Sequence, residues 1–439
     1  MSIRELLLAL LRDEVVQRKE EGCEGEEIAA RLSKVGSDAS EEDLEAIYRD
    51  LQSLSPRLDF PYVEPSGLEE IIEQRTSGPR RSQLDLTDDE LYDRIYGAWL
   101  GRCVGCMLGK PVEGWTKEKI RKYLELAGAY PLTNYIPEVL PHPKGYEIEQ
   151  DYYKNAVRGK IACAVGDDDL DYTILNLNVL EKYGFNFSTE DIGETWLTHI
   201  PFMMTYTAER AAYANLVNGV KPPESATNRN PYREWIGAQI RADLWGYVAP
   251  GRPEAAAAMA HRDASLSHMK NGIYGEMLVA AMISMAFTTR TPEEIVLAGL
   301  SEIPRKSRLA EAVLDVLEWK KEAQTWEEAW SKVMAKYGSY SGIHTINNAA
   351  IVLLGLLYGE GDFEKAITIS VMSGLDTDCN GATCGSIMGA ALGSRKLPGK
   401  WVNPLNDSLE SAVSGFSDCR ISHLARRTFQ LAKKFTQNE

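Results

Sequence analysis

The sequence predicts an all-α protein, a large helical body carrying a small helical extension at its N-terminal end. Three observations lead there. From about Leu86 onward apolar residues recur at helical spacing and hardly ever alternate with period two. Helix starts are marked repeatedly by a capping residue or a proline followed by an acid: Thr87-Asp-Asp-Glu, Ser188-Thr-Glu-Asp, Pro253-Glu, Thr291-Pro-Glu-Glu, Thr325-Trp-Glu-Glu and Gly361-Asp-Phe-Glu. Two stretches repeat glycine at strict spacings of four, which lays each stripe along one helical face.

The extension comes first. Leu6, Leu7, Leu10, Leu11 and Val15 recur as on a helix, and Glu26–Leu32 offers a second short one. Ser40-Glu-Glu-Asp then opens a third through Leu44, Ile47, Tyr48 and Leu51. Ser55–Gly67, with Pro56, Pro61 and Pro65, reads as a turn-rich connection, and Ser77-Gly-Pro-Arg-Arg-Ser as a linker. Residues 1–85 are therefore expected to form the extension and residues 86–439 the main body. A brace for the main body is the plainer role for the extension, and a docking module is the alternative. The proline-broken stretch Glu138–Ile148 is expected to be loop.

Composition narrows the function. A hydrophobic content of 44% with 26% charged residues is ordinary for a globular protein. With 48 basic against 64 acidic residues the formal charge is −16, which argues against a nucleic-acid partner, since phosphate binding needs a basic footprint. The longest uncharged apolar runs, Ala349–Gly359 and Met277–Phe287, fall short of the ~18–20 residues of a membrane span. The opening MSIRELLLALLRDEVV has charges within its apolar run and no small-residue cleavage site, unlike a signal peptide. The seven cysteines form no tandem metal-binding pairs and read as reduced thiols, so a cytoplasmic location is expected.

The glycine stripes carry a spatial prediction. Gly97, Gly101, Gly105 and Gly109 line one helix, and Gly381, Gly385, Gly389 and Gly393 another. Each helical glycine costs about 0.5–1 kcal/mol against alanine, a loss that close backbone packing offsets. Packed on each other, the stripes would bring Lys110-Pro-Val-Glu113 beside Gly374-Leu-Asp376-Thr-Asp378-Cys379.

A third motif, Gly166-Asp167-Asp168-Asp169-Leu-Asp171, opens a helix through Ile174, Leu177 and Leu180. One aspartate makes an N-cap, but a second and third add little to it, and like charges this close call for a neutralising cation. A calcium loop is excluded, because its sixth position is Tyr172 rather than glycine and its twelfth is Asn178 rather than glutamate. Oxygen donors suit Mg²⁺, Mn²⁺ or Ca²⁺ better than zinc, and Cys379 and Cys384 share one helix without a partner pair.

In this order, GAWLGRCVGCMLGKPVEGW, the GDDDL run and GLDTDCNGATCGSIMGAALG resemble the ADP-ribosylglycohydrolase superfamily, from about Leu86 to the C-terminus. The resemblance implies an orthogonal helical bundle with a centre of two divalent cations, Mg or Mn, acting on an ADP-ribosylated or ribosylated substrate. It implies a catalytic glutamate after the first glycine helix, where Glu113 stands, and metal ligands at Asp167, Asp168, Asp169, Asp376, Asp378 and Cys379. Glu113 and Asp168 are the expected catalytic carboxylates, with the choice of general base open. Asp167, Leu170 and Cys379 stand where the family carries hydroxyl residues, and Cys106 where aspartate is common. A thiol is a poor Mg²⁺ ligand, so either Cys379 stays off the metal or the site favours Mn²⁺.

The stretch Met203–Val248 is rich in Tyr, Asn, Arg and Trp, able to stack adenine and bind pyrophosphate or simply to fill helix junctions. Tyr206, Arg210, Arg241 and His268 are the candidate substrate contacts, beside Glu113. For His268 and His344 a hydrogen-bonded core histidine is the plainer reading. The leading functional expectation is a metal-dependent hydrolase of an N- or O-linked ADP-ribosyl group. The rivals are the same centre acting on a small ribosylated metabolite or nucleoside, and a non-catalytic binding protein that keeps the fold.

Overall fold

A computed structural model describes residues 3–36, 39–148 and 154–438. The fold is all-α, with one small two-stranded sheet among the described residues.

The first three helices, Ile3–Glu20, Glu26–Ser33 and Glu41–Gln52, bury a small core of their own around Leu11, Val15, Ile28, Leu44 and Leu51. Ser40 and Asp43 close the third helix with a reciprocal capping box. Buried ion pairs tie this unit to the main body. Arg233 reaches Glu14 at 2.9 Å and Glu21 at 2.8 Å, and Gln17 donates to Glu234 at 2.6 Å. Beyond it the chain runs along the main body. Val63 N–H donates to the Lys306 carbonyl and Ser82 N–H to that of Gly251, each at 2.9 Å, and Ile71 lies in the main core. The segment from Val63 to Ser82 thus lies along the main body, held by backbone hydrogen bonds and by side chains such as Glu64, which pairs with Arg308 at 2.7 Å.

The two glycine helices, Asp88–Gly109 and Thr377–Leu392, form the axis of the main body. Gly97 faces Gly389, Gly101 faces Gly385 and Gly105 faces Gly381, so the helices run antiparallel with their backbones in contact. A methyl group on Gly97 would sit 2.6 Å from the Gly389 carbonyl oxygen, closer than any real side chain comes. At the far end Thr377 Oγ1 donates to the Gly109 carbonyl at 2.8 Å. The close approach of the two stripes therefore delivers Glu113 to the N-terminus of the second helix. Two helices buried along their whole length, Asn271–Ala286 and Thr345–Gly359, pack behind this pair.

The third motif arrives from the other side. Asp167 caps the Asp168–Tyr183 helix, accepting from Asp169 N–H at 2.9 Å. The residues before it are pinned by the small sheet: strands Ser408–Glu410 and Asp418–Arg420 pair antiparallel, and Ala164 exchanges 2.9 Å backbone bonds with Ser408 and Glu410. The short strands escaped the sequence reading because three residues carry no alternation long enough to register.

Candidate metal centre

The loop before Asp376 is shaped by a glycine that nothing else can replace. Gly374 sits at φ +77°, and a side chain there would lie 2.8 Å from the Lys117 nitrogen and the Trp115 carbonyl oxygen. Leu375 follows at φ +65°, a conformation that strains an ordinary residue. Its carbonyl accepts from Gly114 N–H at 3.1 Å, which joins the loop after Glu113 to the loop before Asp376. Asn348 completes the support, with its Oδ1 accepting from Asp376 N–H at 3.2 Å and from Asn380 Nδ2 at 2.7 Å.

These elements open on a cavity of about 500 Å³ walled by Glu113, Asp167, Asp168, Asp376, Asp378 and Cys379, with Tyr206 at its side. Among the described residues three donor triads form in or just behind it: Glu113, Asp376 and Asp378; Asp169, Asp378 and Cys379; and Cys106, Asp167 and Asp169. In each triad the ligand atoms lie within 4.8 Å of one another, and Asp378 joins the first to the second.

The charges are uneven. Burial raises Asp168, Asp169 and Asp378 well above the usual carboxylate range, and the neighbouring acids raise them further. Asp376 is raised too, by burial first. Asp167 goes the other way, because the Lys110 ammonium paired with it and the Asp169 N–H outweigh its burial. At this site three buried carboxylate oxygens, Asp169 Oδ2, Asp376 Oδ1 and Asp378 Oδ1, have no hydrogen-bond partner among the described residues. Each costs on the order of 1–3 kcal/mol or more if left so, and a hard divalent cation is the natural partner for such oxygens. The carboxylates therefore fit Mg²⁺ or Mn²⁺. The Cys379 thiol does not fit Mg²⁺, a hard ion that soft sulfur ligates poorly, and burial, then the neighbouring aspartates, push it well above the usual thiol range.

The glycine helices, the aspartate run and the Asp376–Cys379 turn thus converge on one acidic cavity, and the model of one family, ADP-ribosylglycohydrolase, matches residues 87–438. The chain belongs to the ADP-ribosylglycohydrolase family. A solved structure described as an "ADP-ribosylglycohydrolase-related protein complex" shares the fold, with a TM-score of 0.51 at 20% identity over 79% of this chain and 99% of that one. A search of curated protein sequences finds no significant match.

Within this ADP-ribosylglycohydrolase cavity the expected residues separate into two groups. Glu113, Asp167, Asp168, Asp376, Asp378, Cys379 and Tyr206 line it, Asp169 stands directly behind, and Arg210 lies beside Tyr206 at the rim. Leu170 is fully buried in the core. Arg241 and His268, expected at the substrate, are off the wall and almost wholly buried. Arg241 pairs with Glu209 at 2.8 Å and Asp263 at 3.1 Å, and its guanidinium lies 4.9 Å from the Trp196 ring centre, so its charge is spent inside. His268 Nδ1 is bonded to Ser267 Oγ at 2.8 Å, the core-histidine arrangement. His344 likewise caps its helix, accepting from Ile346 N–H at 3.2 Å.

Sequence reasoning missed Glu209, which Arg241 holds against the cavity and which burial raises above its usual range. A signal existed: Glu209 follows Tyr206 by three residues, one helical turn further on. Gly237 beside it leaves room for this placement, since a side chain there would run into the Glu209 carboxylate unless that carboxylate moved.

Proposed function

We propose that this protein is a hydrolase that cleaves the N- or O-glycosidic bond between an ADP-ribosyl group and its acceptor, using a binuclear magnesium or manganese centre. One observation carries the reading, the membership of Asp378 in two donor triads at the floor of one cavity. A carboxylate common to two donor sets would suit a pair of cations at the ~3.5–4 Å spacing of two-metal hydrolases. Glu113, Asp376 and Asp378 would hold one ion and Asp169 and Asp378 the other, with the Cys379 thiol beside it and Asp167 tethered by Lys110 at the edge.

When bound, the cations supply Lewis-acid polarisation and a water acidified toward neutrality. The chain's own residues supply the rest. Glu113, exposed at the cavity mouth, accepts the proton of the attacking water, and Asp168 across the cavity holds a proton toward the departing oxygen or nitrogen. The surrounding carboxylates favour the positive charge that an oxocarbenium-like transition state develops on the sugar. Tyr206 and Arg210 at the rim offer a stacking face and a guanidinium for the nucleotide half. The unpaired thiols fit a cytoplasmic setting.

The test is release of ADP-ribose, followed by mass spectrometry, from ADP-ribosyl-arginine and ADP-ribosyl-serine peptides with Mg²⁺ or Mn²⁺. Release that stops with chelator and with Asp378→Asn supports the reading. Tight Mn²⁺ binding without release from either peptide overturns the substrate, and no Mn²⁺ binding at all overturns the centre.

A further inference from the structure

Two residues on the wall of the acidic cavity, Ile236 and Ile343, come from segments far apart in the chain that a backbone bridge joins. Ile236 N–H donates to the Ile343 carbonyl at 3.0 Å, and Thr345 N–H to the Glu234 carbonyl at 3.2 Å. Thr345 Oγ1 adds a bond to the Trp235 carbonyl at 2.8 Å. Residues 234–236 and 343–345 therefore form a short antiparallel pair, with the two isoleucines at its cavity end. A two-stranded ribbon of this size is marginal alone, so its place is set by what grips it elsewhere.

Much of that grip comes from the N-terminal extension. Arg233 makes a two-pronged contact with Glu14, at 2.9 and 3.1 Å, and its Nε donates to Glu21 at 2.8 Å. Both of its carboxylate partners thus belong to the extension. Gln17 Nε2 donates to Glu234 at 2.6 Å, while Arg308 and Asn271 of the main body hold the same carboxylate from their own side. On the second segment, Glu20 faces His344 Nε2 at 3.6 Å. Arg233, Glu234 and His344 are at most 3% exposed, so water does not compete for these contacts. A buried fork of this kind adds little net stability over apolar packing, but it fixes geometry.

We propose that the extension is a positioning element for the cavity: Glu14, Gln17, Glu20 and Glu21 hold the Ile236–Ile343 wall and, through it, the seat of the substrate. The statement about substrate rests on the hydrolase reading above. None of the four residues lines the cavity, and the wall they hold supplies none of the carboxylates of the centre. All four precede the 87–438 family match, so the support reaches the catalytic body from outside it.

The test uses full-length, Mn²⁺-loaded wild type, Glu14→Ala, Glu14→Gln and Gln17→Leu. Hydrogen exchange is followed over residues 234–237 and 343–346, beside the kinetics of release from the ADP-ribosylated peptides. Exchange at the Ile236 and Thr345 amides is expected to quicken about tenfold in Glu14→Ala and Gln17→Leu. KM should rise about three- to tenfold with a smaller change in kcat, and Mn²⁺ affinity should hold. Glu14→Gln keeps an acceptor for Arg233 and should recover most of the lost KM. Gln17→Leu, an apolar replacement of similar size, keeps the test open if Glu14→Ala does not fold.

Unchanged exchange in the folded variants overturns the proposal, and so does faster exchange with a wild-type KM. Loss of kcat, KM and Mn²⁺ affinity together marks general unfolding and overturns it as well. If wild type releases nothing from either peptide, the hydrolase reading fails. Exchange needs no substrate and then decides alone whether the extension holds the wall.

Discussion

The Arg102 guanidinium lies 3.1 Å from one oxygen of Asp169 and leaves the other oxygen to the side of the centre shared with Asp378 and Cys379. Its Nε donates to the Asp169 carbonyl at 2.7 Å, and its third nitrogen pairs with Asp243 at 2.7 Å, with all of these side chains fully buried. Arg102 therefore both neutralises and aims a candidate ligand. Arg102→Met should cost about 3–5 kcal/mol, because two buried carboxylates lose their cation at once. Thermal denaturation should show the loss, and Mn²⁺ titration a weaker centre. Arg102→Lys should recover only part of either, since one ammonium cannot span both acids.

Some of this was legible in the sequence, and the reason is physical. Glycines at intervals of four in a soluble helix make sense only against another backbone, so the approach of Glu113 to Asp376 and Asp378 followed from Gly97–Gly109 and Gly381–Gly393. Arg102 and Lys110 were not legible as partners of the aspartates, because the reach of a long side chain is set by a helix face and a crossing, not by sequence distance. Arg241 misled for the same reason. Its three acids, Glu209, Asp263 and Glu276, lie on three different helices, and nothing local announces that its charge is already met.

The glycine seam gives a second prediction. A methyl group on Gly105 would meet the Gly381 carbonyl and lie 2.7 Å from the Ala382 nitrogen, and neither helix can retreat without moving a motif. Gly105→Ala should therefore destabilise by at least the ~1–3 kcal/mol of ordinary overpacking. It should also weaken Mn²⁺ binding, although residue 105 carries no ligand. A variant with lowered melting temperature but wild-type Mn²⁺ affinity would show that the seam supports the fold without setting the spacing of the centre.

Cys379 allows the metal preference to be tested directly. Burial and four neighbouring aspartates push its thiol well above the usual range, and soft sulfur is a poorer Mg²⁺ ligand than a hydroxyl oxygen. Cys379→Ser restores an oxygen at nearly unchanged volume. Mg²⁺ affinity is expected to rise about three- to tenfold while Mn²⁺ affinity changes less, read by calorimetry on each ion. Equal changes for both ions would place the residue outside the coordination sphere.

The joint between extension and body should respond to pH through Glu20. Burial first, then the neighbouring Glu234 carboxylate, push this carboxyl up to about 8, and it faces His344 Nε2 at 3.6 Å. His344 is driven down to about 3 by its burial and stays neutral, with Nδ1 accepting a backbone N–H. Glu20 therefore keeps its proton in the folded protein where the unfolded chain has lost it. A raised carboxyl stabilises the fold fully below its ordinary value of 4.5, and that contribution drains away as pH rises to about 8. Glu20→Gln, which cannot ionise, should remove this slope. Measured by chemical denaturation, its stability relative to wild type should climb from pH 5 to about pH 8 and then level off. A difference that stays flat across that range would mean that Glu20 ionises normally at the joint.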